Sequence, residues 1–192
     1  MFGVLRTVKA VMPQHILPWM AVTTLRLLGL CACVAVLSVG RLAVAEGTPP
    51  KPEEYVATVG NGAYIVGAGE LAIDGRVVNC GIRPTVIDPN LDDYAAAYPG
   101  FLILNPKLMG RLSQVVKLWI YSHECGHQFR GPDEVIADCF AVQRGRRTGW
   151  LTPQGLEEIC TFISPAEGDS THWHGTYRCD LMRKCYGDKK VY

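Results

Sequence analysis

Leu112, Val115, Val116, Trp119, Ile120 and His123 fall at offsets 0, 3, 4, 7, 8 and 11. That spacing lays one stripe along a helix and predicts a helix over 113–128. Gly131-Pro132 breaks it. A proline suits the first position of a new helix, so a second helix is expected from Pro132 to about Arg147, ending at Gly149. Thr152-Pro153 reads as the N-cap and first residue of a third helix, running to about Ile163. A last helix is expected over about 175–186, closed by Gly187. Upstream the pattern changes to short β-prone runs at 63–66, 70–73, 76–79 and 101–104. Asp74-Gly75 between two of them is a hairpin signal. The proline-rich stretch within 46–56 reads as linker. The expectation is one α+β domain over 57–192, with a small N-terminal antiparallel or mixed sheet and a helical C-terminal half.

Residues 1–45 stand apart from this pattern. The run 27–39 is apolar and uncharged, Arg26 precedes it, and Ala43-Val44-Ala45 follows it. Basic region, apolar region and small-x-small site in that order read as a secretory signal peptide, cleaved after Ala45. The run falls short of the about 20 residues that span a bilayer. No stable membrane span is therefore expected after cleavage, and the other reading is an uncleaved anchor. Met20 would serve equally as the start of a compact signal.

The formal net charge of +1 hides the same division. The leader holds Arg6, Lys9, Arg26 and Arg41 and no acid, which leaves 15 of the 19 Lys and Arg facing all 18 Asp and Glu. No basic field points to nucleic acid. Arg144, Arg146 and Arg147 sit where a helix C-terminus favours cations. Of eight cysteines, Cys31 and Cys33 belong to the leader. Six remain: Cys80, Cys125, Cys139, Cys160, Cys179 and Cys185. An even number in an exported chain implies disulfides, for a protein of the periplasm or the extracellular space.

The chemistry concentrates at His123-Glu124-Cys125-Gly126-His127. On a helix, positions i and i+4 share a face, so both imidazoles can reach one metal ion. Glu124 is turned about 100° from His123 and can flank the ion without binding it. That suits a base acting on zinc-bound water. The next helix offers Glu134 as a third ligand, and Asp138 one turn on, where it can bond the far nitrogen of a ligating histidine. Asp133 is a further candidate for the third ligand. Cys125 lies about 200° from the histidines and faces away from their metal. Its role is structural: a small buried residue, or a disulfide to Cys139 clamping the two site helices. Cys160 is a candidate partner for Cys179 or Cys185.

His-Glu-x-x-His on one helix with Glu-x-x-Ala-Asp on the next resembles the gluzincin metallopeptidases, most of all the HtpX and CAAX-prenyl-protease type. Residues 97–103 are similar to that family's Pro-Gly turn and edge strand, and Ser170-Thr171-His172 with Arg178 to its Thr-His…Arg element. The resemblance covers about 95–182 and implies a zincin-like fold. It implies a Zn2+ ion held by His123, His127 and Glu134, with Asp138 behind them. It also implies Glu124 as catalytic base, His172 near the substrate and Arg178 in a supporting polar role. His174 and Tyr177 are further candidates for stabilising an oxyanion. The function expected is a zinc-dependent metallopeptidase hydrolysing peptide bonds by Glu-assisted attack of zinc-bound water, with a peptide or protein as substrate. Strand 101–104 is either an edge that binds an extended peptide by strand addition or simply a core strand. The alternatives are an exported, zinc-stabilised binding module without catalysis, and an amidase of cell-wall peptides.

Overall fold

In the computed structural model, residues 49–169 and 172–188 are described, and all of them belong to one compact unit. The expected signal peptide, its cleavage site, the alternative start at Met20, and Cys31 and Cys33 lie outside the described residues.

The fold is α+β. Helix α1 (Pro52–Val59) is followed by strands β1 (Tyr64–Val66), β2 (Ala72–Ile73), β3 (Arg76–Val77), β4 (Thr85–Ile87), β5 (Ala95–Tyr98) and β6 (Phe101–Leu104). Helices α2 (Pro106–Met109), α3 (Gln114–Arg130), α4 (Glu134–Arg147), α5 (Pro153–Ile163) and α6 (Gly175–Gly187) complete it. Four strands form a mixed sheet in the order β1-β4-β6-β5, with β4 and β6 parallel and the other neighbours antiparallel. Strands β2 and β3 pair separately, through Asp74 and Gly75. Both turn residues have positive φ, 46° and 82°, as the tight turn at Asp-Gly demands.

Strand β6 is the reverse of the edge expected for it. It is paired on both sides, and all four of its residues are buried. No backbone row remains there for an added peptide strand; the edges are β1 and β5. Alternation splits its side chains between two cores. Leu102 and Leu104 join Ile87, Trp119, Ile120 and Ala141 in the larger core beneath the helices. Phe101 and Ile103 join Val86 and Leu91 in a smaller one on the other face, with Tyr55 and Val56 packed against it. Helix α1, where linker was expected, thus caps the sheet. Pro52 opens it, the Glu54 carboxylate accepts from the Lys51 N–H at 2.9 Å, and the Tyr55 hydroxyl donates to Asp88 Oδ2 at 2.8 Å.

The helices begin and end as their caps dictate. Ser113 caps α3 and Thr152 caps α5 through their side-chain oxygens. Gly131, at φ 81°, ends α3, and its N–H donates to the His127 carbonyl at 3.2 Å. Helix α4 then starts at Glu134 rather than Pro132, because Asp133 is its N-cap and accepts from the Ile136 N–H at 3.0 Å. Gln128 fastens the end of α3 to the β5–β6 turn. Its amide donates to the Tyr98 and Phe101 carbonyls and accepts from the Gly100 N–H and Arg83 Nε.

Three disulfides join the elements: Cys80–Cys125, Cys139–Cys185 and Cys160–Cys179, with Cα separations of 5.6, 5.2 and 5.3 Å. Of the two partners open to Cys160, it takes Cys179, and Cys185 pairs with Cys139. The clamp between Cys125 and Cys139 is not: Cys125 faces the β-rich half and Cys139 faces α6. Among the described residues, no helix is long and apolar enough to cross a membrane.

Candidate metal centre

Helices α3 and α4 approach closely because two small residues meet between them. A Cβ on Gly126 would lie 3.0 Å from the Ala137 Cα and 3.2 Å from its carbonyl oxygen. This contact lets the first residue of α4, Glu134, reach across to the histidines of α3. Helix α6 packs on α4 and adds Arg178, and the loop before α6 adds His172.

Four side chains converge. Glu134 Oε2 stands 3.0 Å from His123 Nε2 and 3.2 Å from His172 Nε2, and Glu134 Oε1 stands 3.4 Å from His127 Nε2. The two Nε2 atoms of His123 and His127 are 3.1 Å apart. The donors therefore form two triangles, His123–His127–Glu134 and His123–Glu134–His172. The second is a buried group whose ligand atoms all lie within 4.8 Å of one another and could bind a metal ion. The chemistry of the set fits zinc. Zinc takes imidazole nitrogen and carboxylate oxygen at about 2.0–2.1 Å in a tetrahedron, whose edge is then roughly 3.3–3.4 Å. The separations observed, 3.0 to 3.4 Å, are close to that edge.

Each ring is turned to present Nε2. Asp138 Oδ1 lies 2.9 Å from His123 Nδ1, and the Gly131 carbonyl lies 2.9 Å from His127 Nδ1. Such outer partners fix the tautomer and raise ligand basicity. Asp138 is held in turn by Arg178, whose Nε and Nη2 donate to its two oxygens at 2.7 and 2.8 Å. The Arg178 guanidinium also lies 5.5 Å above the ring of Trp119, itself 5.8 Å from the His123 ring. Asp138 and Arg178 are 1% and 3% exposed, so their charges are compensated by each other rather than by water.

The electrostatics follow from this packing. Burial alone would raise the Glu134 carboxyl, but the three imidazoles hold it far below the ordinary carboxylate range. Burial would raise Asp138 as well, yet Arg178 and His123 hold it down to about 2. Burial disfavours a charged His123, but Asp138 and Glu134 outweigh it and push the ring up to about 10. The acids thus favour positive charge where the Nε2 atoms meet, and a divalent cation would experience the same field. Glu124 differs. Its carboxylate is buried beside the cluster without being one of its converging donors, and burial pushes it up.

Several expected roles change. The expected ligands His123, His127 and Glu134 converge, and Asp138 stands behind His123. His172, expected beside the substrate, has its Nε2 in the donor cluster. Arg178, expected in a supporting polar role, is sealed against Asp138. Asp133 is spent on the α4 cap and is no ligand. His174 and Tyr177 are exposed; Tyr177 packs on Trp173 with ring centroids 5.4 Å apart, and neither belongs to the cluster. Ser170 and Thr171 lie outside the described residues. Trp119, of the apolar stripe, is a core residue that also walls the site, and the Gly126–Ala137 contact carried no signal that spacing could expose.

No protein-family model, curated protein or solved structure matches the chain.

Proposed function

We propose that this protein is an exported zinc-dependent metallopeptidase of the gluzincin kind. One observation carries the reading: His123, His127 and Glu134 present their ligand atoms 3.0 to 3.4 Å apart, with the buried Glu124 carboxylate beside them. These three residues would hold the ion. A bound zinc ion supplies Lewis acidity, polarising a scissile carbonyl and making water acidic at neutral pH. Glu124 accepts the proton of the attacking water on its carboxylate and delivers it to the leaving amine nitrogen. Burial pushes the Glu124 carboxyl up, which strengthens it as the base that takes this proton. Asp138 keeps His123 in the tautomer that presents Nε2, and Arg178 keeps Asp138 ionised. Export is supported by the leader and the three disulfides.

A second reading draws on His172. Four protein donors would close a zinc tetrahedron and leave no place for water, which is the pattern of a structural site. The protein would then be a zinc-stabilised binding module.

The test is metal analysis of the purified protein together with hydrolysis of a broad peptide library that includes cell-wall peptides. The expected result is one zinc per chain, with Glu124→Gln retaining zinc and losing activity by about 10²–10⁴-fold. Activity unchanged in Glu124→Gln would remove Glu124 as the base. A zinc-loaded wild type that hydrolyses nothing, with His172→Ala losing the metal, would establish the closed site.

A further inference from the structure

We propose that the turn 80–83 and the aromatic ladder beneath it form a docking surface for an anionic lipid bilayer, with Ile82 as the side chain that enters it. The surface needs no metal and no catalytic step, and it stands apart from the function proposed above.

Arg83, Phe129, Phe140 and Arg144 stack in that order across α3 and α4. The Arg83 guanidinium lies 4.3 Å from the centre of the Phe129 ring, and the Phe129 and Phe140 rings are stacked 6.0 Å apart. The Arg144 guanidinium lies 6.0 Å from the centre of the Phe140 ring. Phe129 follows Cys125 by four residues, so the ladder runs on the side of α3 turned away from His123 and His127. The turn sits on this ladder. The Arg83 N–H donates to the Cys80 carbonyl at 3.3 Å, and Gly81 takes φ 66° at the first central position. A Cβ on Gly81 would lie 3.3 Å from the Phe129 ring and 3.4 Å from an Arg83 nitrogen. The Cys80–Cys125 disulfide, buried at both ends, fixes the turn to α3. Between two residues that lie against the ring, Ile82 projects with 90% exposure, and Phe129 keeps 47%.

Nothing in the turn requires isoleucine. Tight turns select glycine, asparagine, aspartate and serine, and an isoleucine at the tip exposes apolar surface without packing the core. The charges of the ladder are equally unspent. Arg83 donates to the Gln128 side-chain oxygen and carbonyl at 3.1 and 3.2 Å, and Arg144 donates to the Cys125 sulfur and the Asn79 carbonyl. All four acceptors are uncharged, and among the described residues neither arginine forms an ion pair. Both arginines remain partly exposed. An apolar prong flanked by cations suits the interface of an anionic bilayer. The prong enters the acyl boundary, and the guanidiniums stay among the phosphates. The prong is convex and rigidly mounted, so a flat protein surface would need a matching socket, whereas lipids move aside.

The experiment is co-sedimentation of the purified protein with vesicles of phosphatidylcholine, and of phosphatidylcholine mixed with phosphatidylglycerol, at low and high salt. It compares wild type with Ile82→Ser, Ile82→Trp and Arg83→Gln. Wild type is expected to bind the anionic vesicles, to bind the neutral ones about tenfold more weakly, and to be released by salt. Ile82→Ser should weaken binding about tenfold, because the entering side chain is lost. Arg83→Gln should weaken it about fivefold, on the anionic vesicles alone. Ile82→Trp places a fluorophore at the tip, whose emission should shift to the blue on the vesicles and be quenched by brominated lipid. Melting checks that each variant folds; if Arg83→Gln does not, the exposed Ile82 variants carry the test. The proposal is overturned if wild type binds neither vesicle, if it binds both equally, or if Ile82→Ser binds as wild type does. Retention by polyglutamate but not by vesicles would also overturn it, and would assign the surface to an acidic polypeptide. Self-association lost in Ile82→Ser, again without vesicle binding, would overturn it in favour of a second copy of the chain.

Discussion

The candidate metal cluster has a helical side and a loop side, and they are built on different principles. His123, His127 and Glu134 come from two helices whose axes are brought together by Gly126 and Ala137 and braced by the buried Asp138–Arg178 pair. His172 comes from a loop whose shape depends on two glycines and a pair of local hydrogen bonds. A helix transmits strain along its whole length, so errors on that side should damage fold and site together. A loop fails locally, so errors on the other side should change the metal and spare the fold.

The largest effect should come from Arg178→Met. Removing one partner of a buried pair costs about 3–5 kcal/mol, because Asp138 is left uncompensated. Urea unfolding of the metal-free protein reads this directly, and a loss under about 1 kcal/mol would mean that the helical side is not braced as described. Gly126→Ala comes next. Alanine improves helix propensity by about 1 kcal/mol, whereas overpacking costs about 1–3 kcal/mol. The net loss should be about 1 kcal/mol, with zinc binding weakened by more than stability, since the added methyl moves Glu134 away. Zinc titration alongside melting separates the two.

A third prediction concerns acid. Asp138 is held at about 2, below its ordinary value of 3.8. A depressed carboxyl contributes stability that is complete above about pH 4 and is lost as the pH falls toward 2. In the metal-free protein, Asp138→Asn should flatten that acid limb; an unchanged limb would place the titration elsewhere. The smallest effect belongs to the loop. His172→Ala should shift the stability of the metal-free protein by less than about 1 kcal/mol while changing its metal binding. A large loss of stability would abolish the distinction between the two sides.

The same division governs what could be read from the chain. The site helix, its N-cap at Ser113 and its stop at Gly131-Pro132 were legible, because period and punctuation are local. So were Thr152-Pro153 and the Asp74-Gly75 hairpin. The short strand at Thr85–Ile87 was not legible, nor was the alanine-rich one at Ala95–Tyr98, where β propensity is low and partners supply the order. Helix α1 hid behind its prolines, one of which is its first residue. The interior place of Phe101–Leu104 depends on strand order, which no single segment encodes. At the site, His123, Glu124, His127, Glu134 and Asp138 followed from helical spacing. Asp133 misled because a cap and a ligand use the same carboxylate. The place of His172 depends on how the loop folds back, and spacing along a helix does not report that.

The disulfides have a consequence for the order of events in the life of the chain. Cys125 follows Glu124, Cys139 follows Asp138, and Cys179 follows Arg178. Before oxidation, three thiols therefore stand next to residues of the candidate site. As thiolates they are strong zinc ligands and would draw the ion into the wrong company. Pairing the sulfurs withdraws these rivals, and only imidazole and carboxylate remain to compete. On the proposed reading, zinc acquired after oxidation would have one place to go, whereas zinc acquired before it would have several.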